Sequence, residues 1–173
     1  MTRQLSLAVN WGCLAALISI PLLLLYGLFD ISAFRMLILE AMPFPVQWQT
    51  VESWQLYLIW TMVSLYLCVG LAGLYYLRKA FVNFSRGELF NLTNSTAIRR
   101  FAVLLLIQAA CKPIIYLITS VLITFNHPAG QKTVSISFGS HEIVMIGMGF
   151  VLWVISELLV EGVKLRTEND LYV

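Results

Sequence analysis

The sequence predicts an all-α membrane protein built as a four-helix transmembrane bundle. Its 173 residues are 60% hydrophobic and only 12% charged, whereas a soluble domain of this length carries about 25% charged residues. Charged side chains are absent from two long stretches, between Arg3 and Asp30 and between Glu52 and Arg78. Each stretch holds about 25 residues, enough for a helix of about 20 residues across a hydrocarbon core of ~30 Å.

The remaining two spans contain or adjoin charged residues. Lys112 and Pro113 interrupt the third span, and Glu142 and Glu157 leave only 14 uncharged residues between them in the fourth. Because 14 residues make only about 21 Å of helix, we expect the fourth helix to continue past Glu157. We predict one transmembrane domain over residues 1–173, with helices near 10–29, 54–77, 101–125 and 141–160, a basic loop at 78–100 and a tail at 161–173.

Lysine and arginine are distributed unevenly along the chain. Five lie in the predicted loop 78–100, one precedes the first helix and two follow the fourth, whereas the other two loops hold only Arg35 and Lys132. Basic residues concentrate in cytoplasmic segments of membrane proteins. Since an even number of helices puts both ends on one side, we predict a multi-pass protein in the lipid bilayer with both termini in the cytoplasm.

The two predicted outer loops carry patterns of their own. In the first, Ile31, Phe34 and Leu37 recur at helical spacing, which predicts a short interfacial helix that ends before Pro43. In the second, residues 134–138 alternate between apolar and polar, which is typical of a β-strand. A lone strand is only marginally stable, so this one would need a partner strand or a second subunit, and a homo-oligomer remains open.

Lys112 is the most unusual residue of the predicted spans. A lysine near the middle of a transmembrane helix costs about 2.5 kcal/mol or more on insertion, so its side chain should face the bundle interior or a wet cavity. Gln108, Lys112 and Tyr116 follow one another at intervals of four residues and therefore share a helix face. The third and fourth helices are antiparallel, and side chains lean towards their own helix N-terminus. We therefore expect Glu157 to pair with Lys112 across an axial offset of about 10 Å.

Two roles are open for this intramembrane strip of Gln108, Lys112, Tyr116 and Glu157. It could relay a proton or a ligand, or it could be a structural pair that fixes helix register. The sequence contains no CxxC pair among its 3 cysteines and no HExxH, Walker or GxSxG motif, the usual signatures of metal, nucleotide and nucleophile sites. We therefore expect no enzyme activity, no cofactor and no metal. The net charge of +2 also gives no reason to expect direct nucleic-acid binding.

Two short stretches carry a family resemblance. Residues 84–90, followed by Asn94 and residues 98–100, form one of them, and the tail 161–173 forms the other. The chain resembles a bacterial domain-of-unknown-function family of small four-helix inner-membrane proteins. The resemblance implies location in the bacterial inner (cytoplasmic) membrane and no enzyme activity. Members are often encoded beside a Cro/C1-type helix-turn-helix regulator, which implies a membrane protein that holds or modulates a transcription factor.

The basic loop and the acidic tail are the surfaces that such a partner could reach. The first hypothesis is a non-enzymatic inner-membrane protein that regulates or sequesters a cytoplasmic partner such as a small transcriptional regulator. The alternative is a small transporter or channel subunit that works through the strip around Lys112 and Glu157. Contacts with a partner, or with anionic lipid headgroups, are predicted at Arg86, Arg99, Arg100, Glu168 and Asp170.

Overall fold

Four long helices dominate the computed structural model, which describes residues 2–30, 35, 38, 42, 44–87 and 91–169. A short 3-10 helix, Trp48–Thr50, precedes the second of them. All four helices are long and apolar enough to cross a membrane, which confirms the all-α class and the prediction of four long apolar helices. The helices are α1 at Thr2–Phe29, α2 at Ser53–Ser85, α3 at Leu92–Thr124 and α4 at Ser140–Asn169.

The helices extend beyond the spans predicted from charge. Most of the predicted loop 78–100 is helical, because α2 continues to Ser85 and α3 begins at Leu92. α4 likewise continues to Asn169, through most of the predicted tail. A helix forms its backbone hydrogen bonds internally, in lipid and in water alike. A stretch without charged residues therefore indicates only the part of a helix within the hydrocarbon core, and the helix can extend beyond it.

The turn between α2 and α3 has a residue that ends α2 on one side and a residue that caps α3 on the other. Gly87 has φ +83°, the left-handed conformation in which glycine commonly ends a helix. The Asn91 side chain accepts a hydrogen bond from the Thr93 N–H at 2.9 Å and so caps the first turn of α3. We call this side of the molecule, marked by Arg78, Lys79, Arg99 and Arg100 on the ends of α2 and α3, the basic end.

The helices pack in chain order. Close backbone contacts link α1 to α2, α2 to α3 and α3 to α4, and no other pair of the described helices. Two clusters of buried residues hold neighbouring helices together, one at each end of the row. At the basic end, Ala80 of α2 meets Ala97 and Ile98 of α3, while at the other end Leu56 and Ile123 belong to a second cluster. We call this second side, which holds residues 44–52 and 125–131, the loop end.

An extended segment occupies residues 131–139, before α4 begins. It runs along the last turns of α3, where the Ser135 N–H donates to Ser120 Oγ at 3.0 Å and the Thr133 N–H donates to Thr124 Oγ1 at 3.1 Å. The predicted strand is not formed among the described residues, because the segment bonds to hydroxyl groups of a helix and not to another strand. Its alternating apolar side chains are exposed, namely Val134, Ile136 and Phe138.

The two loops at the loop end are joined to each other. The Gln47 N–H donates to His127 Nε2 at 3.3 Å, and the Gln47 side-chain amide donates to Gln131 Oε1 at 2.6 Å. Ile38, in the same end cluster, is buried and helical. The interfacial helix predicted in the first loop falls mostly outside the described residues, including its marker positions 31, 34 and 37.

Candidate functional site: an ion pair at mid-depth and a projecting helix end

Lys112 lies halfway between the two polar ends of α3. Twelve residues, about 18 Å of helix, separate it from Arg100 on one side and from Thr124 on the other. Its ammonium group forms an ion pair with Glu142 Oε1 of α4, and the Glu142 side chain is 3% exposed against 42% for Lys112. The two opposite charges therefore meet near the centre of the helical row, at the depth where an unpaired charge is most costly.

The extended segment brings Glu142 to this depth. An extended chain advances about 3.3 Å per residue, so the steps from Thr133 to Gly139 cover about 20 Å. That length is close to the ~18 Å of helix from Thr124 to Lys112. α4 starts at the next residue, and Glu142 Oε2 accepts the Gly139 N–H at 2.6 Å. The carboxylate of Glu142 thus caps the first turn of α4 and neutralises the lysine.

The predicted pairing of Lys112 with Glu157 is wrong. Glu157 Oε1 lies 3.3 Å from Arg99 Nη1 at the basic end, with both side chains about half exposed. The Arg99 guanidinium also lies 5.4 Å from the centroid of the Trp153 ring. The predicted pair required the fourth crossing to be helical over its whole length. Because an extended segment fills its outer half, α4 is shifted towards the basic end, and Glu142 rather than Glu157 reaches the depth of the lysine.

Gln108 and Tyr116 share a face of α3 with Lys112 but take no part in its ion pair. Gln108 packs against α2, where a Cβ atom on Gly70 would lie 2.7 Å from Gln108 Nε2. The Tyr116 hydroxyl makes no hydrogen bond in the described part of the chain. Beside Gln108 is a cavity of about 260 Å³ that is lined mainly by apolar side chains of α2 and α3. Its lining includes Tyr66, Met62, Leu65, Val69, Cys111 and Ile115.

The arginines predicted to contact a partner or lipid lie on different surfaces. Arg99 is engaged with α4 through Glu157, as described above. Arg100 turns the other way, towards α2, and its Nη1 donates to the Tyr76 hydroxyl at 3.3 Å. Arg86 is the exposed residue that follows α2. Adjacent residues on a helix point about 100° apart, so Arg99 contacts α4 and Arg100 contacts α2.

α4 continues for twelve residues, about 18 Å, beyond Glu157. We call residues 158–169 the projecting end of α4. Leu165 in this segment is 62% exposed, and Glu161, Lys164 and Glu168 are exposed around it. Asp170, also predicted as a contact residue, lies outside the described residues. The basic end therefore presents a helix whose exposed surface carries the charged residues Glu161, Lys164 and Glu168 and two large apolar side chains, Leu158 and Leu165.

Two functional features were not found from the sequence. Glu142 was treated only as the boundary of a span, although Gly139 and Glu142 have the three-residue spacing of a helix N-cap and its capping-box carboxylate. Asn94 was noted only for family resemblance, yet it is fully buried and its Oδ1 accepts the Asn83 side-chain N–H at 2.7 Å between α3 and α2. Among the described residues, no group of three or more histidine, cysteine, aspartate or glutamate side chains could hold a metal ion.

A comparison with protein families gives one match that covers nearly the whole chain. The family model described as "Protein of unknown function (DUF2975)" matches residues 8–173. The matched range includes the Lys112–Glu142 pair, the basic end and the projecting end of α4. Neither the curated proteins nor the solved structures include a significant match to this chain.

Proposed function

The chain belongs to the DUF2975 family of proteins of unknown function, and from this premise we propose that it is a non-enzymatic membrane protein that binds a cytoplasmic partner. The partner class is a small helix-turn-helix transcriptional regulator, which the protein regulates or sequesters at the inner membrane of a bacterium. The observation that carries this proposal is the projecting end of α4, which continues past the Arg99–Glu157 ion pair at the basic end.

The basic residues support a cytoplasmic position for this end. Arg78, Lys79, Arg99 and Arg100 all lie near the same ends of α2 and α3, as expected for the cytoplasmic side. α1 also begins on this side, because Arg78 Nε donates to Asn10 Oδ1 at 2.9 Å. Both termini are then cytoplasmic, and a soluble regulator can reach the projecting end.

The projecting end is suited to bind a protein. A helix that offers an exposed apolar side chain among charges can lie in a groove of a partner. Leu158 and Leu165 are the exposed large apolar residues of this segment. Leu165 lies farther from the Arg99–Glu157 ion pair, and Glu161 and Lys164 flank it. The helix is also held at its base by packing against α3 and by the Glu157 ion pair. It is therefore ordered before binding, which reduces the entropy lost on association.

Co-purification with a co-expressed Cro/C1-type regulator from the same gene neighbourhood tests this function. We expect Leu165→Gln to lower the recovered regulator roughly tenfold, since the loss of a side chain that is central to an interface costs about 1–2 kcal/mol or more. Leu92→Gln is the matched control, because Leu92 is 55% exposed at the same end of the molecule but lies on α3. Equal recovery with both variants, or no recovery with the intact protein, would reject the proposal.

A second candidate function is a small transporter or channel subunit, which the mid-depth Lys112–Glu142 ion pair favours. Intramembrane ion pairs often belong to proton or ion pathways, and the cavity beside Gln108 adjoins the same part of α3. In this case purified protein in liposomes would dissipate a proton gradient, and Lys112→Met would abolish the flux. Leu165→Gln would leave the flux intact, which separates this candidate from the regulator.

A further inference from the structure

A second polar feature lies at the basic end, on the face of α3 that is turned towards α2, about 100° around the helix from its contact with Glu157. It is a groove of about 310 Å³ between α2 and α3, within the range of pockets that hold small ligands. We call it the basic groove. Its polar lining residues are Tyr76 and Lys79 from α2 and Thr93, Thr96 and Arg100 from α3.

The two cations of the basic groove are not neutralised by any described acidic residue. The ion pairs formed by the described residues are those of Arg99 with Glu157 and of Lys112 with Glu142. Arg100 is instead held by Tyr76, whose ring centroid lies 5.2 Å from the guanidinium carbon. A tyrosine orients an arginine without cancelling its charge. The groove therefore keeps two positive charges available to an anion.

The hydroxyl groups of the groove lie on the same side as the cations. Thr93, Thr96 and Arg100 follow at intervals of three and four residues, which places them on one face of α3. Thr96 Oγ1 donates to the Leu92 carbonyl at 2.9 Å and keeps its lone pairs free to accept. The Thr93 hydroxyl has no hydrogen bond within the described chain and can donate to an acceptor oxygen.

The depth of the groove matches the headgroup region of a bilayer. Arg100 lies twelve residues from Lys112, or about 18 Å along α3. Half of a hydrocarbon core of ~30 Å is about 15 Å, so a groove at this level faces lipid phosphates if Lys112 is near the midplane. Anionic headgroups attract basic residues at this depth.

We propose that the basic groove binds a phosphate group, carried by an anionic phospholipid or present as free phosphate. Arg100 would bind two phosphate oxygens with its planar guanidinium, Lys79 would add a second charge, and Thr93 would donate from its hydroxyl. This site is independent of the projecting end of α4 and adds a ligand to the proposed function. The site uses Arg100 and not Arg99, because the Arg99 guanidinium already contacts Glu157 and Trp153.

Native mass spectrometry of the intact protein in detergent tests the site. The probes are short-chain phosphatidylglycerol, phosphatidylcholine of the same chain length and inorganic phosphate. We expect phosphatidylglycerol to bind more tightly than phosphatidylcholine. The double variant Lys79→Gln with Arg100→Gln should lower its affinity about 30-fold, since each basic residue near an anionic lipid contributes roughly fivefold. The single variant Lys79→Gln should lower the affinity about fivefold by the same rule. Its matched control, Lys132→Gln, removes one exposed positive charge at the loop end and should change the affinity less than twofold.

The remaining measurements identify the source of the phosphate and show whether a loss of binding results from unfolding. Inorganic phosphate that binds and displaces phosphatidylglycerol would identify free phosphate as a ligand, and binding of the lipid alone would identify the headgroup. The conservative variant Lys79→Arg should retain binding, and unchanged helix content by circular dichroism shows that the double variant is folded. Equal losses in Lys79→Gln and Lys132→Gln, or equal binding of both lipids, would overturn the proposal.

Discussion

At the scale of single residues, Glu142 determines how α3 and α4 fit together. A charged side chain at mid-depth is tolerated only when a partner and hydrogen bonds replace its hydration. Glu142 obtains both, from the ammonium of Lys112 and from the N–H of Gly139. Lys112 is 42% exposed, so its long aliphatic stem can cover apolar surface while its ammonium stays on the carboxylate.

The first prediction concerns removal of one or both partners of this pair. Lys112→Met leaves the Glu142 carboxylate unpaired in a low-dielectric environment, and it should lower the melting temperature in detergent by roughly 10 °C. The double variant Lys112→Met with Glu142→Leu should recover a large part of that loss, because no charge remains to be compensated. Fluorescence-detected thermal unfolding of the purified protein measures all of these values.

Glu157 supplies the control for this prediction. Its ion pair with Arg99 is about half exposed on both sides, and such pairs contribute ~1 kcal/mol or less. Glu157→Gln should therefore shift the melting temperature by only a few degrees. If Glu157→Gln destabilises as much as Lys112→Met, and only the double variant of Lys112 and Glu157 restores stability, then Glu157 is the partner of the lysine after all.

At the scale of secondary-structure elements, the extended segment at 131–139 is the least usual part of the fold. Non-helical backbone at membrane depth is tolerated only where protein groups or water satisfy it. Here Ser120 and Thr124 of α3 provide acceptors for two of its N–H groups, and both residues are buried. These hydroxyls let α4 begin near the middle of the row and so place Glu142 opposite Lys112.

The second prediction tests this role of the hydroxyl groups. Ser120→Ala with Thr124→Val leaves the partly buried N–H groups of Thr133 and Ser135 without acceptors, at a cost of up to about 1–3 kcal/mol each. Hydrogen exchange at residues 131–139 should accelerate in this variant. Thr61→Val with Ser64→Ala is the matched control, because those hydroxyls bond only to carbonyl groups of their own helix. An unchanged exchange rate in the Ser120 and Thr124 variant would show that these hydroxyls do not hold the segment.

The third prediction concerns the contact between α3 and α4. A Cβ atom on Gly149 would lie 2.6 Å from Leu106 Cδ2, whereas a Cβ on Gly147 would meet nothing within 4 Å. Gly149→Leu should therefore push the two helices apart and cost about 1–3 kcal/mol. Gly147→Leu should have little effect, since it faces open space. The comparison is made by thermal unfolding in detergent, and equal stability of the two variants would contradict this packing.

At the scale of the whole molecule, the described helices form a row that is fastened at its two ends. Ala80 and Ala97 allow α2 and α3 to approach closely at the basic end, and Ser95 Oγ donates to the Ser156 carbonyl of α4 at 2.7 Å. At the loop end, Leu56 and Ile123 lie in the second buried cluster. Between them lie the ion pair and the apolar cavity. The middle of the molecule is therefore held by the Lys112–Glu142 ion pair as well as by apolar packing.

The sequence predicted the parts of this architecture that depend on composition alone. The gaps in charge around Leu14 and Leu65 indicated spans, because a helix in lipid must be apolar over a fixed length. Lys112 was correctly expected to need a partner. The identity of that partner depends on the register of α4, which depends in turn on the hydrogen bonds that the N–H groups of Thr133 and Ser135 donate to the hydroxyls of Thr124 and Ser120. Charge spacing along one chain contains no information about such contacts.

The most direct test of the central claim is site-specific photocrosslinking in living cells. A photoreactive amino acid in place of Leu165 samples the projecting end of α4, and the same group in place of Val144 samples an exposed apolar position near the depth of the ion pair. The account predicts that position 165 crosslinks to a soluble helix-turn-helix regulator and that position 144 does not. Crosslinks from position 165 to lipid alone, or the same products from both positions, would contradict it.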